Sequence, residues 1–218
     1  WDHSIAIAVL HFSFGKESLV TFSLCLELGI EPILVYCQEP VQPYEEKYKL
    51  NKLERLAKEF NVQAYFIKHQ PGLFRYGRAF NLKKKTEIGW GSQTTLLSLL
   101  VLPFAYHHQA QYIITGSEHL NNDFSYKNGW KWFYSADQTK EMTLTKNALI
   151  GILTNYQCEV KNSLEPLEEL LIFFLLNHRY PKIAPYMFSC MAEKPLLGGS
   201  QWCHNCHKCN QMFINAVA

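Results

Sequence analysis

The sequence lacks any apolar run of the roughly 20 residues that a membrane-spanning helix requires. It also lacks the basic and then apolar beginning of a secretory signal, so we expect a cytoplasmic protein without membrane contact. Neither sign of charge is in large excess, since the chain has 21 lysines and arginines and 19 aspartates and glutamates. The resulting formal net charge of +2 argues against a nucleic-acid partner. No internal repeat divides the 218 residues, which are enough for one substantial core.

Disulfide bonds are not expected, although the sequence contains seven cysteines. Four of them lie near the C-terminus, at Cys190, Cys203, Cys206 and Cys209, and the others are scattered through apolar stretches. Gaps of two residues let neighbouring thiolates bind one tetrahedral ion, and a fourth cysteine from a loop completes a structural zinc site. We therefore predict that these four thiolates hold Zn²⁺. An iron–sulfur cluster, which also uses four cysteines, is the alternative.

Short apolar runs alternate with amphipathic stretches along most of the chain. Their pattern predicts strands at 5–12, 32–37, 62–67 and 112–115, and helices at 16–28, 44–60, 93–109, 143–156 and 167–176. Right-handed crossovers between such strands place helices on both faces of a sheet. The predicted fold class is therefore α/β with a doubly wound, mainly parallel sheet. The stretch 116–130 is rich in Asn, Ser and Gly and is predicted to be an active-site loop.

A hexapeptide, Ser13-Phe14-Gly15-Lys16-Glu17-Ser18, joins the first predicted strand to the first predicted helix. A loop at a helix N-terminus presents unpaired N–H groups and the positive end of the helix dipole, which together bind phosphate. Gly15 permits close backbone approach, the two serines offer hydroxyl donors, and Lys16 adds positive charge. A turn that holds no ligand is the alternative.

Two common phosphate-binding motifs are excluded. A Walker A loop requires Gly and then Ser or Thr at positions that Leu10 and Glu17 occupy here. A dinucleotide fingerprint requires three glycines, and only Gly15 is present.

The hexapeptide resembles the Ser-Gly-Gly-x-Asp-Ser loop of the PP-loop ATP pyrophosphatases, with Phe14 in place of the first Gly and Glu17 in place of the Asp. The resemblance implies that the loop holds the pyrophosphate of ATP while a substrate oxygen attacks the α-phosphorus to form an adenylate. It also implies Mg²⁺ beside the phosphates, with Lys16 and Glu17 as catalytic residues. The adenine is expected near Val35 and Tyr36, at the end of the second strand.

Such a loop together with a C-x-x-C-x-x-C tail is similar to the layout of 7-cyano-7-deazaguanine synthases. A closer resemblance, to the catalytic region of UDP-N-acetylmuramoyl-L-alanyl-L-glutamate epimerases, lies in Thr115-Gly116-Ser117-Glu118, in Asn121-Asn122, and in the stretches 163–170 and 202–209. It implies that Gly116 and Ser117 line the nucleotide site and that Glu118 is catalytic. The alternative for Glu118 is a charge at a helix N-terminus. Glu169 is either a site residue or part of the polar face of a helix.

These features predict an ATP-dependent enzyme that adenylates the carboxylate of a small molecule, with epimerisation of a glutamyl residue in a nucleotide-sugar peptide as the finer expectation. Deazapurine nitrile synthesis, tRNA modification and a non-catalytic nucleotide-binding module are the alternatives. Residues 1–160 are expected to form the nucleotide-binding domain, and residues 161–218 a helical, zinc-binding segment packed on it. The chain opens at Trp1 almost directly on a strand, which leaves an upstream domain or a homo-oligomer open.

Overall fold

The structure, a computed structural model, describes residues 5–38, 45–68, 93–190 and 202–218. Trp1 and Tyr44, the predicted start of a helix, lie outside these ranges. The described chain contains strands β1 (Ile7–Phe12), β2 (Glu31–Gln38), β3 (Ala64–Lys68), β4 (Tyr112–Thr115), β5 (Phe124–Lys127), β6 (Trp130–Phe133) and β7 (Glu159–Asn162). Its α-helices are α1 (Lys16–Glu27), α2 (Asn51–Phe60), α3 (Gln93–His107), α4 (Lys140–Leu153), α5 (Glu169–His178) and α6 (His207–Val217). None of these helices is long and apolar enough to cross a membrane.

Five of the strands form a parallel sheet in the order β3-β2-β1-β4-β7. In β2 every residue after Glu31 is buried, as expected for a parallel strand that is covered on both faces. The predicted α/β class with a doubly wound, mainly parallel sheet is therefore confirmed.

Each face of the sheet has its own hydrophobic cluster, because successive side chains of a strand point to opposite faces. Leu34 and Tyr36 belong to the cluster that also contains residues of α1 and α5. Ile33 and Val35 belong to the cluster that contains residues of α3 and β7. The C-terminal segment thus contributes to the same core as α1. The predicted boundary at residue 160 falls within β7, and the division into two units stays a prediction.

The strand order reverses between β1 and β4, whose C-terminal ends lie side by side. Open α/β sheets bind their ligands at such a switch point. The approach of the two loops is close, because a Cβ atom on Gly116 would lie 2.6 Å from Thr21 Oγ1 and 3.1 Å from the carbonyl oxygen of Glu17. Glycine is therefore required where β4 passes the first turn of α1.

The prediction that 116–130 is a loop is wrong. A short 3-10 helix forms at His119–Asn122, and β5 and β6 then form an antiparallel hairpin. Its turn is Asn128-Gly129, with φ of 53° and 79°, which is the backbone that two-residue hairpin turns require. Strand β7 and helix α6 were not predicted either, and a π-helix at Glu45–Leu50 precedes α2.

Candidate active site

The loop after β1 is closed by its own hydroxyl groups. Ser18 Oγ donates a hydrogen bond to the carbonyl oxygen of Gly15 at 3.0 Å and accepts one from the backbone N–H of Ser13 at 3.3 Å. The hydroxyl of Ser13 in turn accepts from the N–H of Gly15 at 3.3 Å. The serines at both ends of the hexapeptide therefore hold the backbone of the loop in one conformation at the start of α1.

Phe14 lies within this loop, but its side chain is turned into the core. The ring is fully buried, with its centroid 4.8 Å from that of Phe12 and 5.9 Å from that of Tyr36. Its backbone has a φ of 65°, in the left-handed region that glycine adopts at little cost. The carbonyl oxygen accepts a hydrogen bond from the N–H of Phe188 at 2.9 Å. The bulk of Phe14 therefore lies beneath the loop.

Lys16, the first residue of α1, is surrounded by three carboxylates. Its side chain is 3% exposed, and its Nζ contacts Glu17, lies 3.0 Å from Glu169 Oε1 and lies 3.9 Å from Glu118 Oε2. These acids come from α1, from the loop after β4 and from the start of α5. Glu118 Oε2 is buried and makes no hydrogen bond to any residue that the structure describes.

Burial and charge act in opposite directions on this cluster. Burial lowers the pKa of Lys16, but the neighbouring carboxylates outweigh it, and the pKa lies above its ordinary value. Burial is also the largest influence on Glu118, and it raises the pKa of that carboxyl group although Lys16 opposes it. In Glu169 burial acts to raise the pKa, but Lys16 and a hydrogen bond from Asn215 lower it below its ordinary value. Glu118 therefore accepts a proton more readily than Glu169 does.

A cavity of about 310 Å³ opens at the sheet edge beside these residues, a size suited to a small ligand. Its described lining comes from the loops after β1 and β4, from the start of α3, from the segment before α4 and from α6: His11, Ser13, Glu17, Ser18, Thr94, Leu97, Ser98, Thr115, Gly116, Ser117, Glu118, Asn121, Tyr134, Ser135, Gln138 and Lys208. The predicted site residues of 13–18 and 116–118 thus surround one space, apart from Phe14, Gly15 and Lys16, which are not among these residues.

The predicted adenine neighbours lie elsewhere. Val35 and Tyr36 are fully buried, and neither belongs to the described lining of the cavity. As consecutive residues of β2 they point to opposite faces of the sheet, so at most one of them can stack on a given ring. Contact of adenine with these two residues stays a prediction.

Two sets of hydrogen bonds behind the cavity were not predicted from the sequence. Asn162, the last residue of β7, accepts a hydrogen bond from Ser117 N and donates one to Ser117 O, both at 2.9 Å. On another side, the buried Lys146 Nζ donates to Asp137 O at 3.1 Å and to Thr94 Oγ1 at 3.3 Å. Single polar residues inside strands and helices gave no signal for these roles.

The four predicted metal ligands are brought together. The Sγ atoms of Cys190, Cys203, Cys206 and Cys209 all lie within 4.8 Å of one another, and those of Cys203 and Cys209 are 3.7 Å apart. A tetrahedral zinc ion with Zn–S bonds of about 2.3 Å requires sulfur atoms about 3.8 Å apart. A four-iron cluster binds each sulfur to a separate iron and spaces the sulfurs more widely. The cluster therefore fits a single tetrahedral ion.

The pKa values of the cluster differ, since burial raises the pKa of Cys209 to about 12 while that of Cys203 is lowered. Burial acts to raise the pKa of Cys203, but the backbone N–H groups of Asn205 and Cys206 outweigh it and lower the pKa to about 6. A thiolate is the form that binds metal. Cys206 additionally caps α6, its Sγ accepting a hydrogen bond from the N–H of Cys209 at 3.4 Å.

Helix α6 links the cysteines to the acidic cluster. Gln211 Nε2 donates to Glu169 Oε2, and Asn215 Nδ2 donates to Glu169 Oε1 at 3.3 Å. Lys208, in the first turn of α6, lines the cavity itself. Lys208 lies within the stretch 202–209, but no role was predicted for it, because the cysteines on either side were the clearer signal.

Comparison with known proteins shows the fold. No protein-family model and no curated protein matches the sequence. Among solved structures, NMN synthetase from Francisella tularensis matches with a TM-score of 0.53 and 12% identity, over 94% of this chain and 71% of that one. The U34-tRNA thiolase NcsA from Methanococcus maripaludis, solved with its 4Fe-4S cluster, matches with a TM-score of 0.52 and 11% identity, over 97% of this chain and 65% of that one.

Proposed function

We propose that this chain is an ATP-dependent enzyme that adenylates a carboxylate of a small molecule and releases pyrophosphate. The observation that carries the proposal is the cavity at the switch point, which the loop 13–18 and the loop 116–118 line together. A helix N-terminus beside such a cavity suits the phosphates of a nucleotide. The fold shared with an NMN synthetase and a tRNA thiolase supports the same conclusion.

The charges of the cavity indicate how ATP is held. Glu17 and Glu118 both line it, and two carboxylates repel a triphosphate unless a divalent cation lies between them. Carboxylate oxygens and phosphates are the ligands that Mg²⁺ prefers in nucleotide sites. We therefore propose Glu17 and Glu118 as the residues that hold Mg²⁺, which would neutralise phosphate charge when bound. Lys16, which lies outside the cavity lining, holds the carboxylates of Glu17 and Glu118 in position.

In the proposed reaction an oxygen of the substrate carboxylate attacks the α-phosphorus of ATP. A bond forms between that oxygen and the α-phosphorus, the bond from the α-phosphorus to the bridging oxygen breaks, and its electron pair leaves with pyrophosphate. Ser13 and Ser18 line the cavity and hold the loop through their hydroxyl groups, and the helix N-terminus at this loop suits the departing pyrophosphate. Epimerisation of a glutamyl residue in a peptidoglycan precursor is the finer proposal, and it is supported by the sequence resemblance at 115–118 and 202–209.

The second candidate is a tRNA-modifying enzyme, which the fold shared with the U34-tRNA thiolase favours. Two observations favour carboxylate adenylation over it. The sulfur atoms of Cys203 and Cys209 are 3.7 Å apart, which suits one zinc ion better than a four-iron cluster. The formal net charge of +2 supplies no overall field that would attract RNA.

The test is pyrophosphate release from Mg·ATP, measured with a panel of carboxylates that includes glutamyl peptides, and separately with tRNA. Release that depends on a carboxylate is expected. Ser18→Ala should lower that rate about tenfold or more, equivalent to about 1.4 kcal/mol or above, because it removes the hydrogen bonds that hold the loop. Ser23→Ala is the matched control, since Ser23 is a buried serine of the same helix whose hydroxyl donates to Leu19 O at 2.8 Å. Release that needs tRNA would overturn the proposal in favour of the second candidate.

A further inference from the structure

Lys16, the lysine of the loop 13–18, does not face the cavity. Lys16 is 3% exposed, lies against Glu17 and Glu169, and is absent from the described lining. Three carboxylates surround its single positive charge, so little of that charge acts on a ligand. The anion that the proposed function requires therefore needs a second cation.

Lys208 has the required position. Of the lining residues that the structure describes, it is the only lysine or arginine. Its charge acts on the same site, since it lowers the pKa of both Glu118 and Glu169. Its Nζ donates to Gln211 Oε1 at 3.1 Å, and Gln211 also donates to Glu169, so the lysine is held near the acidic cluster.

The backbone around Lys208 is also fixed. It lies between Cys206 and Cys209, and Cys206 Sγ caps the first turn of α6. Further along the helix, Asn215 donates to Glu169 at 3.3 Å. The cysteine cluster and α5 therefore hold this turn at the edge of the cavity from two sides.

We propose that Lys208 binds a phosphate oxygen of the nucleotide, so that the cation that faces the ligand comes from the cysteine-rich segment. This inference rests on the proposed function, in that it takes the ligand to be a nucleoside triphosphate. Lys16 then maintains the geometry of the acids, while Lys208 contacts the anion. The cysteine-rich segment is thus part of the binding site as well as of the core.

The test is calorimetric titration of the full chain with Mg·ATP and, separately, with inorganic pyrophosphate and Mg²⁺. Lys208→Met should weaken binding of both about tenfold or more, because a hydrogen bond between charged groups is lost. It should also make the affinity less sensitive to salt. Lys208→Arg should restore most of the affinity, and Lys182→Met, at an exposed lysine that is not among the described lining residues, should leave it unchanged. Metal content and thermal stability of each variant show whether the fold is intact.

The outcomes separate the two proposals. If the wild-type chain binds both ligands and folded Lys208→Met binds them equally well, the role of Lys208 is overturned while the proposed function stands. If the wild-type chain binds pyrophosphate but not Mg·ATP, the proposed function fails, and the pyrophosphate titration still tests Lys208. If it binds neither, both are overturned.

Discussion

Nζ of Lys16, at the start of α1, lies 3.0 Å from Oε1 of Glu169, at the start of α5. The contact joins the loop 13–18 to the C-terminal segment, and Gln211 and Asn215 extend it to α6 through their hydrogen bonds to the same carboxylate. Because the lysine is almost fully buried, the acids around it depend on its charge. The ion pair therefore couples the stability of the site to the packing of the two segments.

Lys16→Met should unfold the chain at lower urea concentration, with a loss of about 3–5 kcal/mol, because it leaves three partly buried carboxylates without their cation. The double variant Lys16→Met/Glu169→Gln should recover part of the loss, because one of those charges is removed. Lys161→Met is the control, since that lysine is 54% exposed and its ion pair with Glu159 contributes less than about 1 kcal/mol. Equal stability of Lys16→Met and Lys161→Met would show that the buried pair has no structural role.

Substitutions of Phe14 can separate the free-energy cost of backbone strain from the cost of lost core packing. Both Phe14→Ala and Phe14→Gly should cost several kcal/mol, because a buried ring is lost; values of about 3–5 kcal/mol are typical. At a φ of 65°, however, glycine should be the more stable of the two by about 1 kcal/mol. Phe12, a buried neighbour within β1, should show the opposite order, with alanine more stable than glycine. Denaturant titration of the four variants measures this, and the same order at both positions would contradict the strain argument.

The sheet could be predicted from the sequence because each of its main strands is a short apolar run and a helical pattern lies between each run and the next. The residues 112–115 were predicted with the bounds that β4 has in the structure. Strand β7 was missed because Glu159 and Lys161 face solvent and only Val160 carries an apolar signal. The hairpin β5–β6 was missed although its turn, Asn128-Gly129, is a recognisable signal, because the surrounding Asn, Ser and Gly residues indicated a loop.

The candidate site was predictable to the extent that it depends on sequence position. Loops after adjacent parallel strands must meet, which brings Ser13 and Ser18 to Gly116. What one sequence could not supply is the direction of each side chain. Phe14 enters the core because its backbone is left-handed, and Lys16 turns inward towards Glu169. Both directions depend on contacts between residues that are distant in the chain.

Glu118 predicts a specific pH dependence of stability. Burial raises the pKa of this carboxyl group, with Lys16 and Lys208 opposing and Glu17 and Glu169 adding to the rise. The folded chain therefore binds this proton more tightly than the unfolded chain does. The stability that results is fully present at low pH and is lost as the pH rises through the folded-state pKa.

Glu118→Gln has no such proton to lose. The difference between the melting temperature of the variant and that of the wild type should therefore become more positive as the pH rises. The rise should begin at about pH 4, near the ordinary pKa of glutamate, and continue towards neutral pH. Glu141→Gln, at a side chain that is 71% exposed, serves as the control for the loss of a glutamate charge at the surface. Differential scanning fluorimetry across this range measures both. A variant that is less stable than the wild type by the same amount at every pH would contradict the buried-carboxylate interpretation.

The cysteine cluster predicts one zinc ion per chain and no iron, because its four sulfur atoms lie within 4.8 Å of one another. Cys206→Ser should lose the metal, whereas its hydroxyl group can still cap α6 as Cys206 Sγ does. Since a structural metal contributes folding free energy directly, we expect a loss of about 3 kcal/mol, which lowers the melting temperature by about 10 °C. Because Lys208 follows Cys206 in the same turn, binding of Mg·ATP should weaken as well.

His207→Ala is the matched control for Cys206→Ser, since His207 is the exposed neighbour of that cysteine and no member of the sulfur cluster. It should keep the zinc content and the melting temperature of the wild type. Elemental analysis and thermal unfolding of both variants decide the question. Less than half an equivalent of zinc in the wild type without any other metal, or an unchanged melting temperature in Cys206→Ser, would show that the cluster does not hold a structural ion. Iron in place of zinc would instead favour the tRNA-modifying candidate, because the thiolase that shares the fold carries a 4Fe-4S cluster.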